Sequence, residues 1–144
     1  MYYKTAESGS IGVTKLHTGA MILRSISDDE ALALFRSIAN TNGDTEGLRS
    51  KTKLTRKQYY SRMSRMTKAG LVTRKNGKHS LTAFGKVVYE AQTTIENAIN
   101  NYWKLKAVDS IEISDELPKE ERKKLLENLI DNQQIREILA KGKV

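Results

Sequence analysis

Residues 55–82 contain, in order, a helix start, an amphipathic helical pattern, a helix stop and a hairpin turn, and few small folds accept that order. Thr55 and Gln58 stand three apart, the spacing at which a hydroxyl and an amide satisfy each other's backbone N–H at a helix N-terminus. A helix is therefore predicted from Arg56. Tyr59, Met63 and Met66 follow at spacings of four and three and make one apolar stripe. Ala69 and Gly70 close the helix, because glycine takes the left-handed terminal conformation without a Cβ clash. Residues 71–73 and 80–82 then read as two strands, with Asn76-Gly77 as the turn of a hairpin.

The upstream sequence supplies the helices such a segment packs against. Ser27 and Glu30 have the capping-box spacing, and Asp28 and Asp29 sit in the first turn, where the helix dipole favours negative charge. Leu32, Phe35 and Ile38 recur at helical spacing, so a helix is predicted to end near Asn40, before the loop NTNGD. A short helix over 46–50 with Leu48 inward follows, and Leu54 packs the next turn. Residues 1–18 read as mostly irregular. The stretch AMILRSI fits a short strand or a helical turn, and its length leaves both open. The predicted fold is mostly α with a small β-hairpin wing: a winged helix-turn-helix over 27–88, after an N-terminal segment over 1–26.

Beyond it, Phe84, Val88, Ala91, Ile95, Ala98, Tyr102 and Leu105 alternate spacings of four and three, a heptad pattern. One long helix over 83–108 is predicted, about 36 Å long to Lys106 at 1.5 Å per residue. Phe84 and Val88 are expected on the core. Ile95, Ala98, Ile99, Tyr102, Trp103 and Leu105 are expected in a dimer seam, the alternative being that the tail folds back over them. The appendage over 109–144 should hold two amphipathic helices. In the first, Pro118 sits in the first turn and Leu125, Leu126, Leu129 and Ile130 face inward. The second is capped by Asp131 and Gln134, buries Ile135, Ile138 and Leu139, and stops at Gly142.

Charge then narrows the function. The chain of 144 residues has a net charge of +8, and residues 47–108 hold fourteen basic against two acidic side chains. Residues 47–89 contain no Asp or Glu. A solvated surface ordinarily mixes signs, whereas a field of one sign suits a polyanion. On the helix from Arg56, the face opposite the apolar stripe carries Lys57, Tyr60, Ser61 and Ser64, with Gln58 in the same first turn. A helix of this kind fits the major groove of B-DNA, where such side chains read base edges. Arg62, Arg65 and Lys68 lie toward the flank and are expected on phosphates, and Arg74, Lys75 and Lys78 on the wing are expected on phosphates or the minor groove.

The stretch KLTRKQYYSRMSRMTKAGLVTRKNGKHSLTAFG resembles the recognition helix and wing of archaeal winged-helix regulators, the broad group that includes MarR-like and ArsR-like proteins. Tyr59, Met63, Met66 and the step Gly70-Leu71-Val72 carry the likeness, as does Leu81-Thr82-Ala83-Phe84-Gly85 after the wing. It covers about residues 28–88, with Met where Leu is usual, a change that core packing tolerates. The resemblance implies transcriptional regulation through double-stranded DNA, most commonly by a promoter-occupying dimeric repressor.

No catalytic pattern emerges. There is no Cys, and His17 and His79 have no partner at a fixed spacing. His79 is expected as a strand or phosphate-side residue. Asp28, Asp29 and Glu30 come nearest to a metal box, but helix capping accounts for them. No cofactor, no metal site and no enzyme activity are expected. No signal pattern and no run of about 18 apolar residues is present, so a soluble cytoplasmic protein without membrane contact is expected. A non-specific or architectural nucleic-acid binder, and a winged-helix module for protein interaction, are the two other classes compatible with these features. A small-molecule effector between the long helix and the tail stays open.

Overall fold

The structure, a computed structural model, describes residues 17–41, 43–113 and 116–141. The expectations for residues 1–16 and for Gly142 lie outside the described residues. Among these, eight helices and one hairpin follow in the order α1 (Gly19–Ser25), α2 (Asp29–Thr41), α3 (Thr45–Thr52), α4 (Arg56–Lys68), β1 (Val72–Lys75), β2 (Lys78–Leu81), α5 (Ala83–Asn100), α6 (Tyr102–Ile113), α7 (Lys119–Leu129) and α8 (Gln133–Lys141). The fold is mostly helical with one small antiparallel two-stranded hairpin, an architecture consistent with a winged-helix type. The chain divides into two compact units, Met1–Tyr89 and Glu90–Val144, and the division falls within α5.

In the first unit the open choice at AMILRSI resolves to a helix: Thr18 caps α1 by accepting the Met21 N–H, and Ile22 and Ile26 are buried. At α2 the expected Ser27 cap is not used. The Ser27 hydroxyl donates to the Arg24 carbonyl, while Asp28 Oδ1 accepts the Ala31 N–H at 2.8 Å and caps the helix instead. Asp44 caps α3, which is longer at both ends than the expected 46–50. The Thr55–Gln58 capping box forms as expected, with both reciprocal bonds.

The end of α4 is set by Gly70 at φ 81°. The Gly70 N–H bonds the Thr67 carbonyl and the Leu71 N–H the Met66 carbonyl, the paired arrangement that satisfies the last carbonyls of a helix. The hairpin pairs Val72 with Leu81 through Lys75 with Lys78, with Asn76 and Gly77 both at positive φ as a two-residue primed turn requires. The core joins Leu34, Phe35 and Ile38 of α2 to Leu48, Tyr59, Met63, Met66 and Leu71. Val88 and Tyr89 pack against it, as expected for Val88, but Phe84 is half exposed.

A close approach fixes where α5 starts. The Thr82 hydroxyl donates to the Gly70 carbonyl and accepts the Gly85 N–H, and the Thr82 N–H bonds the Leu71 carbonyl. A Cβ on Gly85 would run into that same Leu71 carbonyl oxygen.

The second unit departs from expectation. The long helix does not run unbroken to Lys106: the Asn101 N–H is shared between the Asn97 and Ala98 carbonyls, its side-chain amide also donates to Asn97, and a turn separates α5 from α6. α6 runs to Ile113, past the expected helix end at 108, and Val108 enters a second core with Ile130 and Ile135. Leu105, Leu126, Leu129 and Leu139 pack around it. Pro118 is the residue before α7 rather than its first turn. Asn132, not Asp131, caps α8 by accepting the Ile135 N–H. Leu125 and Ile138, expected inward, are exposed.

Gly85→Ala should destabilise the first unit by about 1–3 kcal/mol, the usual range for forcing a methyl into a packed site. Thermal unfolding of wild type and variant gives the answer. An unchanged midpoint would mean that α5 does not rest against Leu71 as described.

Candidate nucleic-acid interface

The site is built on α4, whose buried side anchors it and whose other side is free. Tyr59, Met63 and Met66 are buried. Arg56, Lys57, Tyr60, Ser61, Ser64, Thr67 and Lys68 are exposed. Lys57, Ser61, Ser64 and Lys68 follow spacings of four, three and four, so Lys68 belongs to this open face rather than to the flank where the sequence pattern put it. Tyr60 is 53% exposed, its ring set edge-on to Tyr59.

The flank is occupied by an ion-pair network the sequence did not announce. Arg62 Nε donates to Asp28 Oδ1 at 3.1 Å, and its Nη2 lies 2.6 Å from Glu30 Oε1. Glu30 Oε2 accepts from the Gln58 amide at 3.1 Å, which uses Gln58 twice, in the cap and across to α2. Arg65 reaches Asp28 Oδ2 only at 3.5 Å. Arg62, expected on phosphate together with Arg65, therefore has its guanidinium committed to two carboxylates and only 19% of its side chain exposed. Burial alone would raise the Asp28 pKa, but the Ala31 N–H and the two arginines outweigh it and hold the carboxyl below its ordinary 3.8.

The wing carries Arg74, Lys75 and Lys78, all exposed as expected. Its second strand is tied to the start of α3: the His79 N–H donates to the Gly43 carbonyl and Lys78 bridges Asp44. His79 is a strand residue, but a buried one, with Nδ1 3.3 Å from the Tyr59 hydroxyl. Burial first, then the Arg74 charge, lowers its pKa from 6.5. Burial keeps Tyr59 protonated by raising its pKa, despite a hydrogen bond with the Thr45 side chain. The hydrogen bond between the His79 imidazole and the Tyr59 hydroxyl thus links α4 and the wing, with α3 joined through Thr45. Between helix and wing lies a cavity of about 340 Å³ lined by Tyr60, Ser64, Thr67, Lys68, Arg74 and His79 among others. It offers hydroxyls and two cations at one concave surface.

In the second unit, Ile95, Ile99, Tyr102 and Trp103 are exposed, Trp103 at 78%. Ala98 is half-buried, and Leu105, assigned to the same seam, lies against the Val108 core instead. A groove of about 590 Å³ between α7 and α8 is lined by Leu126, Leu139, Ala140, Arg122 and Arg136 among others. Among the described residues no cluster of three or more His, Cys, Asp or Glu side chains is placed to hold a metal ion, and no helix is long and apolar enough to cross a membrane.

No family model matches the chain, and no curated protein and no solved structure does either.

The His79 pairing sets a pH dependence. A lowered histidine pKa means that the unfolded chain binds the proton more readily, so the contribution is complete above pH about 6.5 and is lost as pH falls through the folded-state value. Asp28 acts in the same direction in a separate window below pH 3.8. Thermal midpoints measured from pH 8 to 5 should fall at the acid end for wild type. They should fall less for His79→Asn, whose amide oxygen replaces the acceptor without titrating. Equal slopes would remove His79 from the account.

Proposed function

We propose that this protein is a double-stranded-DNA-binding transcription regulator of the winged-helix type, acting by binding rather than catalysis, and as a homodimer. The observation that carries the reading is the open face of α4. It offers Lys57, Tyr60, Ser61, Ser64 and Lys68 side by side, with the exposed cations of Arg74, Lys75 and Lys78 on the adjoining wing. A helix face that combines hydroxyls with cations serves base reading, and a face for phosphate alone needs only the cations. The likeness to archaeal MarR-like and ArsR-like regulators supports the same reading, and with it a repressor that occupies its promoter.

A second observation favours the dimer. Ile95, Ile99, Tyr102 and Trp103 are exposed, and residues 97–103 carry no charge although the chain is strongly basic. Two copies can approach there without like-charge repulsion, and a two-fold dimer doubles the length of DNA read.

Binding should weaken roughly 10³–10⁵-fold between 50 and 200 mM salt if about 6–10 phosphates are contacted. Lys75→Ala should weaken matched and scrambled duplexes alike, whereas Lys57→Ala should narrow the gap between them by roughly 1–3 kcal/mol. Titrating each protein against both duplexes tests the assignment, and an unchanged gap for Lys57→Ala would put the reading face elsewhere. For the dimer, sedimentation equilibrium should give twice the 16.3 kDa chain mass. Ile95→Glu, which sets a carboxylate against an apolar seam, should return it to the monomer.

A further inference from the structure

Asp28 and Glu30 do more than start a helix. Both belong to the entry of α2, yet both reach α4, the helix assigned to DNA. They hold the Nε–Nη2 edge of Arg62, Nε going to Asp28 and Nη2 to Glu30, and Gln58 in turn donates to Glu30. That edge is then lost to a phosphate, and the strongest guanidinium contacts are planar and paired. Arg65, one turn on along the same flank, has among the described residues only the 3.5 Å contact to Asp28 and is 42% exposed. Two arginines of like sequence context are thus placed unequally. The sequence around them carries no acid from residue 47 to 89, so the two carboxylates that restrain Arg62 come from far away in the chain.

We propose that Asp28 and Glu30 limit sequence-independent affinity by keeping Arg62 off the DNA backbone, while Lys57, Tyr60 and Ser61 read bases. The inference rests on the DNA-binding reading above and adds a role for acidic residues that do not touch DNA. Phosphate contacts raise affinity for every duplex equally. A recognition helix whose flanking arginines were all free would bind matched and unmatched duplexes more tightly alike, and its binding would depend more steeply on salt. The network also fixes the orientation of α4 on α2, so that the reading face is presented at one angle.

The test compares Glu30→Gln with Asp29→Asn. Both remove one negative charge from the same turn, but Asp29 is exposed and makes none of the contacts to Arg62 described above. Affinities for a selected duplex and its scrambled counterpart are measured across 50 to 200 mM salt, with thermal unfolding as a check on the fold. Glu30→Gln should bind the selected and the scrambled duplex more tightly by about the same factor, leaving the specificity ratio unchanged. Its log–log salt slope should steepen by about 0.9 for each phosphate gained. Asp29→Asn should show the smaller change of a remote charge. Adding Arg62→Gln to Glu30→Gln should return the slope to the wild-type value, because Arg62 is the group released. Asp28→Asn, which keeps a good capping oxygen, gives the same comparison if Glu30→Gln does not fold. Equal behaviour of Glu30→Gln and Asp29→Asn overturns the inference and leaves the DNA-binding reading standing. Absence of duplex binding by the wild type overturns both.

Discussion

The Leu71 carbonyl is the point on which the first unit turns. It accepts the Thr82 N–H and faces Gly85 with no room for a side chain between them. Three elements meet there: the end of α4, the base of the hairpin and the first turn of α5. Thr82 completes the joint by donating its hydroxyl to Gly70 and accepting from Gly85. Since Gly70 itself ends α4 in a left-handed conformation, the direction in which the chain leaves α4 is set by backbone bonds rather than by side-chain packing. The wing then points where the joint sends it, and the Tyr59–His79 contact holds it against α3 and α4 from the other side.

Within that frame α4 divides its surface three ways. One side is core, one is open, and the flank between them is taken up by Asp28 and Glu30. The division explains how a segment with five cations and no acid stays packed against its own protein. Its inward-leaning charge is compensated from α2, and the rest projects to solvent, where like charges cost little at physiological ionic strength.

Local signals in the sequence were reliable where the determinant was itself local. The Thr55–Gln58 box, Gly70 and the Asn76-Gly77 turn each act within a few residues, and each appears as its spacing implies. Signals failed where the decision was taken elsewhere in the chain. Ser27 and Asp28 are both good caps, and the pattern had no means to know that Arg62, 34 residues on, would favour Asp28. The heptad spacing is a statement about side chains, so it passed over the turn at Asn101. The helix was expected to end at 108, but it runs on through residues 109–113, mostly types of weak helix preference, beside Val108 packed against Ile130 and Ile135. The open face of α4 was legible because helical geometry alone defines it, and the same spacing places Lys68 there; the restraint on Arg62 and the burial of His79 were not, since they depend on which elements pack.

The hairpin has a further consequence for handling the protein. It is a sheet of two strands, and among the described residues β1 pairs only with β2. Among the same residues its other edge has no strand beside it, and such an edge is the template on which separate molecules join strand to strand. Arg74 and Lys75 on that strand repel any second copy that approaches the edge in register. The cations of the wing thus also guard against self-association in the absence of a polyanion. A variant with a neutral wing, made for structural work at low salt, would expose an edge with β-branched Val72 and Thr73 beside it and should be kept dilute.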